Sequence, residues 1–174
     1  MGSLLKALPI IAVLLFVTGG AEKLGVSFSG WVERLQVGGG SWTPGPATKS
    51  EECRLRQRGK LPDPGCTPGA LNAQLTKDQL CGPASRVSHV SVSLRRRLRR
   101  AYRAGGTPDL LISAKLGGTV TFANVWPQLR VSDRRRKNRV ERQLFEQVCS
   151  GKTRLRTAQY RLATNWRTAV KLTR

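Results

Sequence analysis

Leu110-Leu111-Ile112-Ser113-Ala114-Lys115-Leu116-Gly117-Gly118-Thr119-Val120-Thr121-Phe122 is the stretch whose reading decides the fold class. Leu110 to Leu116 is a short apolar run broken by Ser113 and Lys115. Gly117-Gly118 offers a turn, and Thr119 to Phe122 is rich in β-formers. Together they predict a β-hairpin over 110–122. Ala123-Asn124-Val125-Trp126-Pro127 then reads as a loop ended by proline. A helix is expected from about Asp133 to Cys149, with Val140, Leu144, Phe145, Val148 and Cys149 on one face. Ser150-Gly151 ends it, and a second helix is expected from about Leu155 to Leu172. Strand, strand, helix, helix is an α+β plan, a small β-hairpin packed with helices.

Upstream, Ser93 to Arg103 carries Leu94, Leu98, Ala101 and Tyr102 at helical spacing, with six arginines on the other faces. Gly105-Gly106 stops this helix. Pro62-Asp63-Pro64-Gly65 is a turn cluster, so the folded domain is expected to span 61–174. Residues 22–60 are punctuated by glycine and proline and read as an irregular leader or linker. Residues 1–21 read as a signal peptide. Leu8 to Val17 is an unbroken apolar run, and Gly19, Gly20 and Ala21 follow where a peptidase could cut. That run falls short of the ~20 residues a membrane-spanning helix needs. The expected address is secreted or periplasmic, with an uncleaved anchor as the alternative.

Export implies an oxidising environment for Cys53, Cys66, Cys81 and Cys149, which can pair in three ways. Pairing Cys66 with Cys81 would close a short loop, worth about 3 kcal/mol in the chain-entropy model. The spacing leaves the pairing open. With no C-x-x-C and a single histidine, a zinc cluster is not expected.

The chain has 174 residues and a formal net charge of +21. A multi-domain enzyme does not fit that length. From Ser85 to Arg174 there are 22 basic and 4 acidic residues, so the second half carries nearly all of the field. Such a field concentrates polyanions. The DNA or RNA phosphate backbone is the leading partner, with anionic membrane or envelope polymer second. A solvated basic surface without a specific partner is the alternative, and nothing points to a protein partner. The candidate nucleic-acid contacts are Arg95, Arg96 and Arg99 on the first helix and Arg134, Arg135, Arg136, Arg139 and Arg142 on the next.

Residue chemistry by itself is sparse. His89 stands alone near a helix start and reads as a surface or packing residue. No phosphate-cradling or dinucleotide glycine motif is present. Ten carboxylates are scattered without a glycosidase-like pair.

Several segments nevertheless resemble, in order, exported proteins of the HNH endonuclease superfamily. They are Cys66-Thr67-Pro68-Gly69-Ala70-Leu71-Asn72, Leu80-Cys81, and Asp109 through Gly118. Ala123-Asn124-Val125-Trp126-Pro127, Val140-Glu141 and Val148-Cys149-Ser150-Gly151-Lys152 follow. Last come Ala158-Gln159 and Ala163-Thr164-Asn165-Trp166. The resemblance covers about Cys66 to Val170, some three fifths of the chain. It implies a ββα-metal fold in which hairpin and helix hold one divalent ion against the scissile phosphate. It also implies a histidine general base on the first strand, an aspartate and a helix His or Asn as metal ligands, and a loop asparagine that positions the base.

The sequence departs from that pattern at the chemistry. The family's Asp-His-Leu is here Asp109-Leu110-Leu111. The usual acidic residue before Leu-Gly-Gly is Lys115. The helix motif Lys-Asp-x-x-Glu-Asn-x-Leu-His is here Lys137-Asn138-Arg139-Val140-Glu141-Arg142-Gln143-Leu144-Phe145. Leu110 and Phe145 thus stand at the family's histidine positions, and general-base help is worth roughly 10²- to 10⁴-fold. Asp109, Asn124 and Glu141 remain as catalytic remnants, with Asp109 a weak metal ligand. The expectation is a basic, exported, nucleic-acid-binding relative of the nucleases that is impaired or inactive. No cofactor is expected unless cleavage survives, and then Mg²⁺ or Mn²⁺. The alternatives are an active metal-dependent nuclease using Asp109, Asn124 and Glu141, with His89 as a further candidate, a cationic protein acting on membranes or envelope polymers, and a decaying gene product with no function.

Overall fold

The computed structural model describes residues 42–83 and 89–170. The expected signal peptide and the leader up to residue 41 lie outside the described residues. Among the described residues the chain is mixed α and β. The order is α1 (Lys77–Cys81), α2 (Val92–Tyr102), β1 (Thr107–Leu110), β2 (Val125–Gln128), α3 (Val131–Cys149) and α4 (Leu155–Asn165). Short 3₁₀ turns lie at Ala114–Leu116 and Trp166–Thr168. No described helix is long and apolar enough to cross a membrane.

The sheet is antiparallel and two-stranded, with Asp109 opposite Trp126 and Leu110 opposite Val125. This corrects the expected hairpin over 110–122. The strands lie outside it, at 107–110 and 125–128, and a loop of 14 residues (111–124) joins them. Gly117-Gly118 belongs to that loop, not to a tight turn between strands. The cause is packing. Leu110, Leu111 and Ile112 are consecutive and all buried, which a half-solvated strand cannot achieve by alternation. Leu111 enters one core cluster and Ile112 the other. A side chain at Gly118 would collide with the Ile112 carbonyl, so glycine lets the loop fold back on the strand end.

The segment 123–127, expected to be a loop, supplies β2 instead. Pro127 is tolerated there because it faces Pro108. Neither proline has an N–H, so the two fit where opposing residues exchange no hydrogen bond.

The helices behave closer to expectation. Ser91 Oγ accepts from Leu94 N at 3.2 Å and caps α2, which buries Leu98, Ala101 and Tyr102. Arg103, in the left-handed region at φ 46°, ends it two residues before the expected glycines. α3 buries Val140, Leu144 and Val148 at i, i+4 and i+8, and ends at Cys149 as expected. α4 stops earlier than the expected Leu172. Asn165 turns extended, and its side chain accepts from Arg167 N at 3.1 Å, starting a 3₁₀ turn that seats Trp166.

Two apolar clusters result. One joins α2 to the sheet through Leu98, Tyr102, Leu110, Phe122 and Trp126. The other joins α3 to α4 through Leu144, Val148, Leu162, Trp166 and Ile112. β2 packs against both α2 and α3.

Residues 42–60 belong to this unit rather than to a linker. Trp42 meets Tyr160 edge-on with centroids 5.5 Å apart. Cys53 N donates to Ala101 O at 2.9 Å, and Trp166 Nε1 donates to Lys60 O at 2.8 Å. These anchors are single side chains and backbone groups without periodicity, so no pattern announces them. The disulfides are Cys53–Cys66 and Cys81–Cys149. The second ties the end of α1 to the end of α3.

Candidate functional site

The end of β1 faces the second turn of α3. Lys137 is fully buried there. Its Nζ donates to the Leu110 carbonyl and to Glu141 Oε1, and lies 3.0 Å from Asp109 Oδ2. The helix supplies Lys137 and Glu141 at i, i+4, one turn apart on the face that continues into Val140 and Leu144. The strand supplies Asp109 and the carbonyl of the next residue. One ammonium thus meets two carboxylates and one peptide oxygen.

Burial alone would drive the Lys137 pKa down. Glu141, and then Asp109, outweigh it and hold the ammonium above the ordinary lysine value. Burial pushes the Glu141 carboxyl above the ordinary glutamate value. Lys137 opposes that shift and Asp109 adds to it, since one ammonium cannot fully offset two carboxylates.

The sequence-predicted catalytic residues are therefore only partly brought together. Asp109 and Glu141 converge on Lys137. Asn124 does not join them. It is fully buried, and its side chain serves the loop: Nδ2 donates to Ile112 O and Thr119 O, both at 2.9 Å, and Oδ1 accepts from Ile112 N at 3.0 Å. Both amide hydrogens are spent on backbone carbonyls, leaving no donor for a base. Leu110 is buried in the α2 cluster, and Phe145 packs partly buried against the α3–α4 cluster. His89 is exposed, two residues before the Ser91 cap.

This donor set does not fit a divalent ion. Both carboxylates already face one internal ammonium, and the positions expected for imidazoles hold hydrocarbon. No three of His, Cys, Asp and Glu gather as possible metal ligands among the described residues. Lys137 is the residue that sequence reasoning missed. Its i, i+4 spacing to Glu141 was the available signal, but a charged pair on a helix is ordinarily solvated.

The arginines form the second element. Arg95, Arg96 and Arg99 are exposed on α2. On α3, Arg135, Arg136, Arg139 and Arg142 are exposed and Arg134 is half-buried. The carboxylate ion pairs among the described residues are Lys49–Asp63, Lys137–Asp109 and Lys137–Glu141. No arginine of α2 or α3 is in that set. Arg95 Nε donates to Val90 O at 3.2 Å, and Arg97 stacks over the Phe122 ring at 4.2 Å. Two helices that flank β2 thus present guanidinium groups without carboxylate partners. Guanidinium forks suit phosphate oxygens, which accept two parallel N–H bonds. Family models, curated proteins and solved structures offer no match to this chain.

Proposed function

We propose that this chain is an exported nucleic-acid-binding domain of HNH endonuclease type in which cleavage has been lost. The observation that carries the binding half is the pair of arginine-coated helices that make no carboxylate ion pair among the described residues. The element order β1, long loop, β2, α3 supports the nuclease-like half, because a hairpin followed by a helix is what the resemblance implies. Leu110 and Phe145 at the histidine positions support the loss of cleavage. Leucine accepts no proton, and Asp109, Glu141 and Asn124 are all engaged within the protein.

The test is a plasmid assay read for both nicking and mobility shift, with Mg²⁺, Mn²⁺ or EDTA. The expected result is a shift without nicking. Affinity should fall steeply with salt, on the order of 1,000-fold between about 50 and 200 mM if about six phosphates are contacted. Sequence preference should be weak, since backbone contacts carry no base information. Nicking that EDTA abolishes would overturn the loss of cleavage. Equal binding to anionic vesicles and DNA would overturn nucleic acid as the partner.

A further inference from the structure

We propose that the recess between α2 and the two-stranded sheet is a seat for one unstacked nucleotide, so that the chain prefers single-stranded to duplex nucleic acid. The inference rests on the binding function proposed above and names the form of nucleic acid recognised. The recess holds about 240 Å³. That is just below the roughly 300–1,000 Å³ of ordinary small-molecule pockets, so it suits one ring system rather than a larger ligand.

Its lining is two-sided in chemistry. Arg95 and Arg99, one helical turn apart and both exposed, line the recess. Leu98 and Pro127, both buried, and Ala104 and Pro108, both half-buried, line it too. Pro108 and Pro127 face one another across the strands. Having no N–H, they bring apolar ring carbons and no backbone donor to the lining.

An apolar lining that also includes two guanidinium groups matches a nucleotide. The flat base or sugar would cover the proline and leucine surface, and its phosphate would meet the arginines. Arg95 spends only Nε on the Val90 carbonyl, so its terminal nitrogens remain for a phosphate. A duplex keeps its bases stacked and offers the protein phosphates and sugars. Only a strand whose bases can splay out can fill the recess.

The test is fluorescence anisotropy with a labelled single-stranded oligonucleotide and the matching duplex, on the full chain with its disulfides intact. The native chain should bind the single strand about tenfold more tightly, the fold-change expected from covering roughly 55 Å² of apolar surface at about 25 cal/mol/Å². Arg95→Gln with Arg99→Gln should weaken single-strand binding more than the charge-matched Arg58→Gln with Arg161→Gln. Ala104→Leu fills the recess without changing charge, and should bring single-strand and duplex affinities together. All five positions are exposed or half-buried, and circular dichroism checks that each variant is folded. Equal binding of both forms by the native chain, with the two charge-matched pairs equally weakened, would overturn the nucleotide seat and leave the binding function standing. Absence of binding to either form would overturn both.

Discussion

Replacing Lys137 with methionine tests the reading of the β1–α3 junction. The ammonium is fully buried, and three oxygens converge on it from two elements. Methionine keeps most of the volume and removes the charge. Glu141 and Asp109, at 13% and 17% side-chain exposure, would then face each other without the ammonium between them, and the Leu110 carbonyl would lose its donor. Breaking a buried ion pair by removing one partner costs about 3–5 kcal/mol. With a urea slope of about 2 kcal/mol/M, about 4 kcal/mol moves the unfolding midpoint down by about 2 M. The second arm is Lys137→Met with Glu141→Leu. It removes the more enclosed carboxylate along with the ammonium, and should recover at least half of the loss, because an apolar pair replaces a broken ionic one. Both variants are measured by urea unfolding followed by circular dichroism, with disulfides intact. A loss below about 1 kcal/mol in the single variant would refute the buried ammonium as a tie between strand and helix, since it lies under the cost of one unsatisfied buried group. A double variant less stable than the single one would refute the assignment of the penalty to uncompensated Glu141.

Three other outcomes follow from the same structure. Asn124→Ala should cost at least about 3 kcal/mol, because Ile112 N, Ile112 O and Thr119 O all lose their partner; amide exchange at Ile112 should accelerate, and an unchanged rate would contradict the clamp. Stability should fall on the alkaline side. Burial pushes the Tyr102 pKa up to about 12 from its ordinary 10.0, so the unfolded chain loses that proton first, and about 3 kcal/mol is lost as pH rises from 10 to 12. Lys137 acts in the same direction: its contribution is complete below about pH 10.5 and is lost as pH rises through its higher folded value. Unfolding titrations should show Tyr102→Phe flattening that slope. The Cys81–Cys149 bridge closes a span of 68 residues and Cys53–Cys66 one of 13. The chain-entropy model gives about 4.4 and about 3 kcal/mol for them, so the Cys81→Ser, Cys149→Ser pair should destabilise more; peptide mapping of the unreduced protein checks the pairing itself.

α2, α3 and α4 were readable because their signals are periodic, whereas the five-residue α1 is too short to show a period and was not expected. Leu98, Ala101 and Tyr102 on α2, and Val140, Leu144 and Val148 on α3, repeat at helical spacing, and burial follows it. The strands were not readable. Residues 107–110 contain a proline and an aspartate, and 125–128 contain a proline and a glutamine, so propensity argues against both. They form strands because Val125 and Trp126 are wanted in the core and because two prolines can share a pair that exchanges no hydrogen bond. The β-rich stretch Thr119 to Phe122 had the local propensity but no full strand beside it: Gly118 and Thr119 bridge only to Leu71 and Ala70, and Asn124 gathers the stretch into the loop.

The candidate site divides in the same way. Asp109 and Glu141 could be named from the sequence, but not what they would meet. Lys137 lies 27 residues from Leu110 along the chain, and no local pattern announces a lysine that is buried rather than solvated. Asn124 was visible as a polar residue in a loop, yet its role depends on carbonyls that only the folded loop places within reach.

What the amino-acid sequence by itself determined is the charge, the periodic helices α2, α3 and α4, and the identity of Leu110 and Phe145. Those are properties of composition, of periodicity and of single positions. The tertiary structure alone decided the strand register, the two disulfides and the burial of Lys137 between Asp109 and Glu141. It also joined residues 42–60 to the core and opened the recess that Arg95 and Arg99 line. Each of these depends on groups distant in sequence meeting in a dense interior, where one side chain's volume or hydrogen-bonding need outweighs local propensity.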